Sequence, residues 1–241
     1  MPKVCIIGAT SDIAIELARI YCEDGYDLLL AARDVEKCKR IFNAFQFPKK
    51  IKHTFIYLDV EKEESYHHLD THLETCQGFV YAAGYLGDKQ NVENDHEMQT
   101  RISSVNYRAA TVLCDQAIEK MPTTGEKWLI GISSVAGERV RPSLKYYAQA
   151  KAAFTEYLEK LQENSTRHQT SVLIVKPGIV RTKMVAHLPP KPKWLSAEPS
   201  DVARAIYLAQ KANKNVIFTP RIWYWIVRLI KLVPGFVLRR T

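Results

Sequence analysis

The sequence predicts a doubly wound α/β fold, a parallel sheet of about seven strands with helices on both faces. Three observations carry this expectation. Apolar runs of strand length alternate with longer amphipathic segments. Nearly every connection between runs is long enough for a right-handed crossover. A chain of 241 residues with 46% hydrophobic residues can fill one large core but not two comfortable ones.

Taken in order, Val4–Ile7 reads as a buried strand, and the segment from Asp12 to Glu23 as a helix with Ile13, Leu17, Ile20 and Tyr21 on one face. Leu28–Ala31 is a second strand and Val35–Phe45 a second helix. Thr54–Leu58, a polar helix through the sixties, Phe79–Ala82, a long helix near His96–Lys120 and Trp128–Ile132 follow. The alternation continues with a helix near Ser143–Glu163, a strand at Ser171–Val175, a short helix at Asp201–Gln210 and a strand at Val216–Phe218. Residues 183–200 interrupt this rhythm. They are rich in proline and follow a strand end, where ligands bind in such sheets, so they read as a substrate lid or a plain surface loop.

Five cysteines (Cys5, Cys22, Cys38, Cys76 and Cys114) are scattered without a CxxC pair. This favours reduced thiols in a cytoplasmic setting over a disulfide framework or a zinc site. The N-terminus runs at once into Val4-Cys5-Ile6-Ile7-Gly8, too little for a signal-peptide core. His67, His68 and His72 fall on a charged helix without metal-ligand spacing and read as a solvated face. No metal is expected. The net charge of +8 is uneven: eight basic and no acidic residues follow Asp201, so residues 1–201 balance at 26 of each sign. A body without basic surplus argues against a nucleic-acid partner.

The first strand ends in Gly8-Ala9-Thr10-Ser11-Asp12-Ile13-Ala14 and opens into a helix, a turn that aims backbone N–H groups at a pyrophosphate. Only Gly8 remains of a three-glycine fingerprint, so the spacing equally suits a plain turn with Ser11 or Asp12 as N-cap. The second strand ends Ala31-Ala32-Arg33, where a carboxylate would take a ribose 2′-hydroxyl. Arg33 instead suits a 2′-phosphate, which favours NADP(H), with NAD(H) the alternative. Tyr147 and Lys151 lie four apart on one helix face, and an ammonium beside a phenol lowers its pKa toward use in proton transfer. Ser134 precedes Tyr147 by thirteen residues at a strand end, where its hydroxyl can hold a carbonyl oxygen.

Ser134-Val135-Ala136-Gly137 followed by Tyr147-Ala148-Gln149-Ala150-Lys151 resembles the signature of the short-chain dehydrogenase/reductase family, which has a Rossmann-type fold. The resemblance covers residues 3 to about 220. Tyr81-Ala82-Ala83-Gly84 is similar to the family's Asn-Asn-Ala-Gly stretch, Val105-Asn106-Tyr107-Arg108-Ala109 to its helix asparagine, and Leu58-Asp59-Val60 to its adenine-contacting strand end. Lys176-Pro177-Gly178-Ile179-Val180-Arg181-Thr182 is similar to the segment that faces the nicotinamide. The resemblance implies that Tyr147 is the acid–base group, that Lys151 lowers its pKa and binds the ribose, that Ser134 orients the substrate oxygen, and that Asn106 supports a water-linked proton path. Ser133 is the second candidate for the serine role. Implied cofactor contacts are Gly8, Thr10, Ser11, Asp12, Ile13, Arg33, Asp59, Val60, Ala82, Ala83, Gly84, Tyr147, Lys151, Pro177, Gly178, Val180 and Thr182. The missing glycines, Tyr81 with Ala82 in place of paired asparagines, and the carboxylate of Asp12 near a pyrophosphate depart from the family's pattern.

Residues 1–220 thus read as one oxidoreductase domain and 221–241 as a basic amphipathic tail. On a helix Arg221, Tyr224, Arg228 and Lys231 form a polar stripe, while Ile222, Trp225, Ile226, Leu229, Leu232 and Val233 cover much of the rest. The tail is too short and too charged to span a bilayer. It suits either a membrane interface or packing on a neighbouring subunit. Its aromatic, basic, proline-containing pattern is similar to that of reductases of polyprenyl-phosphate-linked keto-sugars, the decaprenylphosphoryl-2-keto-ribose reductase-like subgroup. The expectation is an NAD(P)(H)-dependent oxidoreductase that interconverts a ketone and a secondary alcohol, acting on a lipid-linked keto-sugar or another apolar substrate. It would be a homodimer or homotetramer in the cytoplasm, with contact to the membrane inner face through the tail. A 3-ketoacyl-type or ketosteroid-type reductase is the alternative, and a non-catalytic nucleotide sensor or scaffold is the alternative of another class.

Overall fold

The computed structural model describes residues 1–45, 51–88, 92–140, 144–165, 169–186 and 192–232. Seven parallel strands form the central sheet: β1 (Lys3–Ile7), β2 (Asp27–Ala32), β3 (His53–Tyr57), β4 (Gly78–Tyr81), β5 (Lys127–Ile132), β6 (Thr170–Pro177) and, last in the chain, β9 (Val216–Thr219). Their order is β3-β2-β1-β4-β5-β6-β9. The strands between β1 and β6 are buried on both faces, which is why they read as continuous apolar runs rather than alternating ones. Two further short strands, β7 (Ile179–Val180) and β8 (Ser196–Ala197), pair with each other beside the sheet.

The crossovers carry α1 (Asp12–Glu23), α2 (Val35–Asn43), α3 (Asp70–Leu73), α4 (His96–Ser103), α5 (Ala109–Lys120), α6 (Lys145–Glu163) and α7 (Pro199–Lys211). After β9 comes α8 (Ile222–Leu232). Two apolar clusters result, one on each face. Leu17, Tyr21, Leu28, Trp128 and Val202 belong to one, and Leu29, Phe79, Leu113, Phe154 and Ile174 to the other. All five cysteines are buried free thiols, and burial pushes Cys22 up to about 12 and Cys38 up to about 11.

Three details depart from the sequence reading. The helix expected near His96–Lys120 is broken by a π-turn at Ser104–Arg108, where Ala109 N reaches back to Ser104 O. The helix through the sixties is mostly a 3₁₀ segment, Glu63–Leu69. The helix expected from Ser143 runs from Lys145, with Ser143 outside the described residues.

The chain order reverses between β1 and β4, and this switch point opens a crevice at the carboxyl edge of the sheet. Gly8 makes the crevice possible. Its φ is +76°, and a Cβ there would lie 2.7 Å from Ala83 N, so only glycine lets the turn after β1 pass the end of β4. Gly8→Ala is therefore expected to cost about 1–3 kcal/mol, from a left-handed backbone and a clash with main chain. A urea midpoint unchanged from wild type would refute this account of the turn.

Candidate active site

A cavity of about 1120 Å³ runs along the carboxyl edge of the sheet. Near its middle, the β1–α1 turn presents Gly8, Thr10, Ser11, Asp12 and Ile13. Ser11 is the N-cap of α1, accepting from Ala14 N at 3.3 Å. The Asp12 carboxylate is occupied elsewhere: it accepts from Lys183 N at 2.7 Å and pairs with Lys183 Nζ at 3.1 Å. The repulsion a pyrophosphate would meet from Asp12 is thereby offset by an adjacent ammonium, which the sequence pattern did not reveal.

At the far end of the cavity lie Ala32, Arg33, Lys37, Leu58, Val60 and Glu61. The Arg33 side chain is more than half exposed and pairs with Glu61 at 3.1 Å, and Glu61 also holds Arg101 at 2.8 Å. Asp59 does not line the cavity; its carboxylate accepts from Glu61 N at 3.1 Å and so sets the turn that carries Glu61. Ala82, Ala83 and Gly84 form the wall that continues from β4.

The catalytic candidates meet at the end of β5. Ser133 and Ser134 both line the cavity but their hydroxyls have different partners. Ser133 Oγ donates to Lys151 O at 3.0 Å and lies 2.6 Å from Thr155 Oγ1, which ties β5 to α6. Ser134 lines the cavity, accepts from Ala136 N at 3.1 Å and hydrogen-bonds the Tyr147 hydroxyl. Tyr147 and Lys151 both line the cavity from α6, one turn apart. Lys151 is buried, and its Nζ donates to Ile132 O at 2.9 Å.

The electrostatics differ from the simple ammonium–phenol argument. Burial pushes the Tyr147 hydroxyl up to about 12, against a hydrogen bond from Ser134 that acts to lower it. Burial also pushes Lys151 down to about 7, so it is only partly an ammonium at neutral pH. Its Nζ stands 5.9 Å from the Tyr147 ring centroid and points at a strand carbonyl. Lys151 by itself therefore does not draw the phenol down; desolvation outweighs it for both groups.

Asn106 sits in the π-turn behind the cavity wall. It is fully buried and does not line the cavity. Its Nδ2 donates to Tyr85 O at 2.6 Å and Ile102 O at 2.8 Å, while Oδ1 accepts from Tyr85 N at 3.3 Å. Both amide protons are used in these bonds, so the side chain serves to position the Gly84–Tyr85 loop and the π-turn. Tyr81, which stands where the family has asparagine, donates from its hydroxyl to Val105 O at 2.7 Å and so fastens β4 to the same π-turn.

The remaining wall comes from Pro177, Gly178, Val180 and Thr182, and from α8 through Trp223, Val227 and Ile230. A Cβ on Gly178 would lie 2.0 Å from Trp223 Nε1, so the glycine makes room for the tail rather than for a ligand alone. Trp223 and Val227 were absent from the apolar set expected for the tail, yet they are its buried residues. The proposed lid contributes Lys183, Met184, Val185, Ala186 and Ser196, with 187–191 outside the described residues. Glu138, just after the Ser134 strand end, is nearly buried and pairs with Lys176 at 2.6 Å and with Lys231 of α8. Burial acts to raise its carboxyl, but hydrogen bonds from the two lysines outweigh this and hold it below its ordinary value.

The donor set fits a phosphorylated dinucleotide. Thr10, Ser11 and the N-terminus of α1 stand at mid-cavity, and Arg33 and Lys37 supply cations at one end. A family model of the short chain dehydrogenases matches residues 2–193, and the chain belongs to that family. It is an oxidoreductase of this class, with a cavity suited to a nicotinamide cofactor. An uncharacterized oxidoreductase of Mycobacterium tuberculosis is 31% identical over 245 residues, which span 98% of this chain and 96% of that one. A 3-oxoacyl-[acyl-carrier-protein] reductase of Rickettsia bellii is 24% identical over 221 residues, 88% of this chain and 90% of that one. A short-chain dehydrogenase from Sphingobium yanoikuyae, solved in complex with NADPH, has the same fold with a TM-score of 0.80 at 19% identity, over 98% of this chain and 97% of its own.

The depressed Lys151 value has a consequence for stability. Below about pH 7 the lysine is charged in both the folded and unfolded chain, and the folded state bears the burial cost. Between there and the ordinary lysine value near 10.4, only the unfolded chain keeps the proton, so stability rises with pH. In nucleotide-free protein, urea midpoints should climb over that interval, and Lys151→Met should flatten the climb. Equal slopes in the two proteins would refute it.

Proposed function

We propose that the chain is an NADP(H)-dependent oxidoreductase that interconverts a ketone and a secondary alcohol on an apolar substrate, a lipid-linked keto-sugar being the reading most consistent with its tail. The observation that carries the reaction is the hydrogen-bonded Ser134–Tyr147 pair beside buried Lys151, on the wall of a cavity that extends to Arg33. The bound nicotinamide supplies or accepts the hydride. The protein's part is to place the substrate oxygen and move a proton to or from it.

Ser134 Oγ and Tyr147 Oη together offer two hydroxyls to one carbonyl oxygen. Tyr147, a phenol protonated at neutral pH, gives its proton to that oxygen as the ketone is reduced. In the reverse direction it takes the proton from the alcohol. Lys151, buried beside the phenol and only partly charged at neutral pH, is the group able to take up a proton and answer the phenolate that forms. Thr10, Ser11 and the α1 N-terminus would hold the pyrophosphate, with Lys183 compensating Asp12.

The NADP preference rests on Arg33 and on Lys37 one turn further on, which together face the cavity where a 2′-phosphate would lie. Glu61 keeps Arg33 extended toward that end. The apolar substrate is supported by Met184, Val185, Trp223, Val227 and Ile230 around the cavity. A 3-oxoacyl thioester is the second reading, favoured by the similarity to a 3-oxoacyl-[acyl-carrier-protein] reductase.

Tyr147→Phe should lower turnover by about 100-fold or more while NADPH still binds within a few-fold of wild type. Residual turnover near the wild-type rate would sink the acid–base assignment. Arg33→Ala should weaken NADPH binding by about 10- to 100-fold and leave NADH unchanged, as loss of a charge-assisted contact implies. Titration by nucleotide fluorescence decides it, and an unaltered NADPH:NADH ratio removes Arg33 from that role.

A further inference from the structure

Helix α8 has two apolar faces, and the body of the protein uses one of them. Trp223, Val227 and Ile230 turn inward and line the cavity. Three polar ties keep this face docked. Trp223 Nε1 donates to Leu195 O at 2.9 Å, Lys231 pairs with the Glu138 carboxylate, and the Arg139 guanidinium donates to Ile230 O. On the opposite side Ile222, Trp225, Leu229 and Leu232 follow one another at steps of three, four and three, which makes them neighbours on one strip. They are 40%, 60%, 64% and 81% exposed. A contiguous strip of this kind marks an interaction surface more than scattered apolar residues do.

The charges beside the strip indicate what covers it. Arg221 and Arg228 border it and are exposed, and among the described residues no carboxylate pairs with either. Arg228 instead lies 4.5 Å over the Tyr224 ring. A twofold contact centred on the strip would set it against its own copy and bring both arginine pairs together. No Asp or Glu follows Asp201 to relieve them. An anionic surface supplies the missing charge, and the whole excess of +8 is at this end of the chain. Trp225 and Tyr224 also have the amphipathic rings suited to a lipid–water boundary. Among the described residues no helix is long and apolar enough to cross a membrane, and α8 has 11 residues.

We infer that α8 is an interfacial helix whose outer strip seats in the surface of an anionic phospholipid bilayer while its inner face remains a wall of the active-site cavity. The contact sets that wall against the lipid. An apolar ketone can then exchange between bilayer and cavity along α8, a consequence that rests on the proposed reaction, whereas the contact itself does not.

The full chain is tested by flotation with vesicles of phosphatidylcholine containing phosphatidylglycerol, and with phosphatidylcholine alone. Wild type should float with the anionic vesicles, less with neutral ones, and less again at high salt. Trp225→Ser/Leu229→Ser should lower the vesicle-bound fraction about tenfold or more. The same variant should keep wild-type turnover of a water-soluble ketone, since both side chains face away from the cavity, and lose turnover of a ketone carried in the vesicles. Arg221→Gln/Arg228→Gln should remove the preference for anionic lipid. The inference is overturned if wild type does not float, or if the Trp225/Leu229 variant floats as well as wild type. It is equally overturned if wild type fails to float and that variant has a smaller solution mass by light scattering, which assigns the strip to a second copy. Flotation needs neither nucleotide nor turnover, so a failure of the proposed reaction leaves its outcome readable.

Discussion

Parallel pairing requires every crossover to carry the chain back over a face of the sheet, so all seven strands deliver their carboxyl ends to one edge. The rest of the molecule is arranged around that edge. The turn after β1, the Arg33 and Glu61 corner after β2 and β3, the Ala82–Gly84 wall after β4, Ser134 after β5 and Gly178 after β6 all converge there. None of these groups is close to the others in the chain. Their proximity comes from the strand order and its reversal between β1 and β4, and packing of both faces holds that order.

Desolvation acts on the two titratable groups that line the cavity from α6. Lys151 is buried at the base of the site and Tyr147 stands at its wall, with their pKa values moved in the directions that disfavour charge. A site that makes both ionised forms costly keeps the phenol protonated, and its low polarity strengthens the interaction of these groups with any charge a bound ligand introduces. The surrounding hydrogen bonds keep this arrangement rigid. Ser133 ties β5 to α6, Asn106 fixes the Tyr85 loop, and Tyr81 takes the Val105 carbonyl within the π-turn. Such a turn inside a helix is costly unless its backbone groups find partners, and here a strand residue provides one.

The C-terminal helix extends the site beyond the sheet. Glu138 joins it to the segment after Ser134 through a nearly buried carboxylate shared by two lysines, one from β6 and one from α8. The segment that follows Ser134 and the docking of the tail are thus linked by one ion cluster. Removing either lysine would leave a carboxylate short of a partner in a place where an unpaired charge is expensive.

Much of this was legible in the chain itself. The alternation of apolar runs and amphipathic segments specified the doubly wound sheet, because burial on both faces leaves a periodic trace in the residues that do the burying. Ser134, Tyr147 and Lys151 were readable because strand ends and helix faces convert fixed spacings into fixed neighbours. Spacing holds no information about partners supplied by distant segments. Asp12 looked hostile to a pyrophosphate until Lys183, 171 residues away, was found on it. Asn106 matched its motif but has spent its amide on a loop. The tail's apolar residues were visible, but not that Trp223 and Val227 face the cavity and Trp225 and Leu229 face out. Local periodicity determines which residues share a face. Only tertiary packing decides what that face meets, since the partners come from parts of the chain that no local pattern connects.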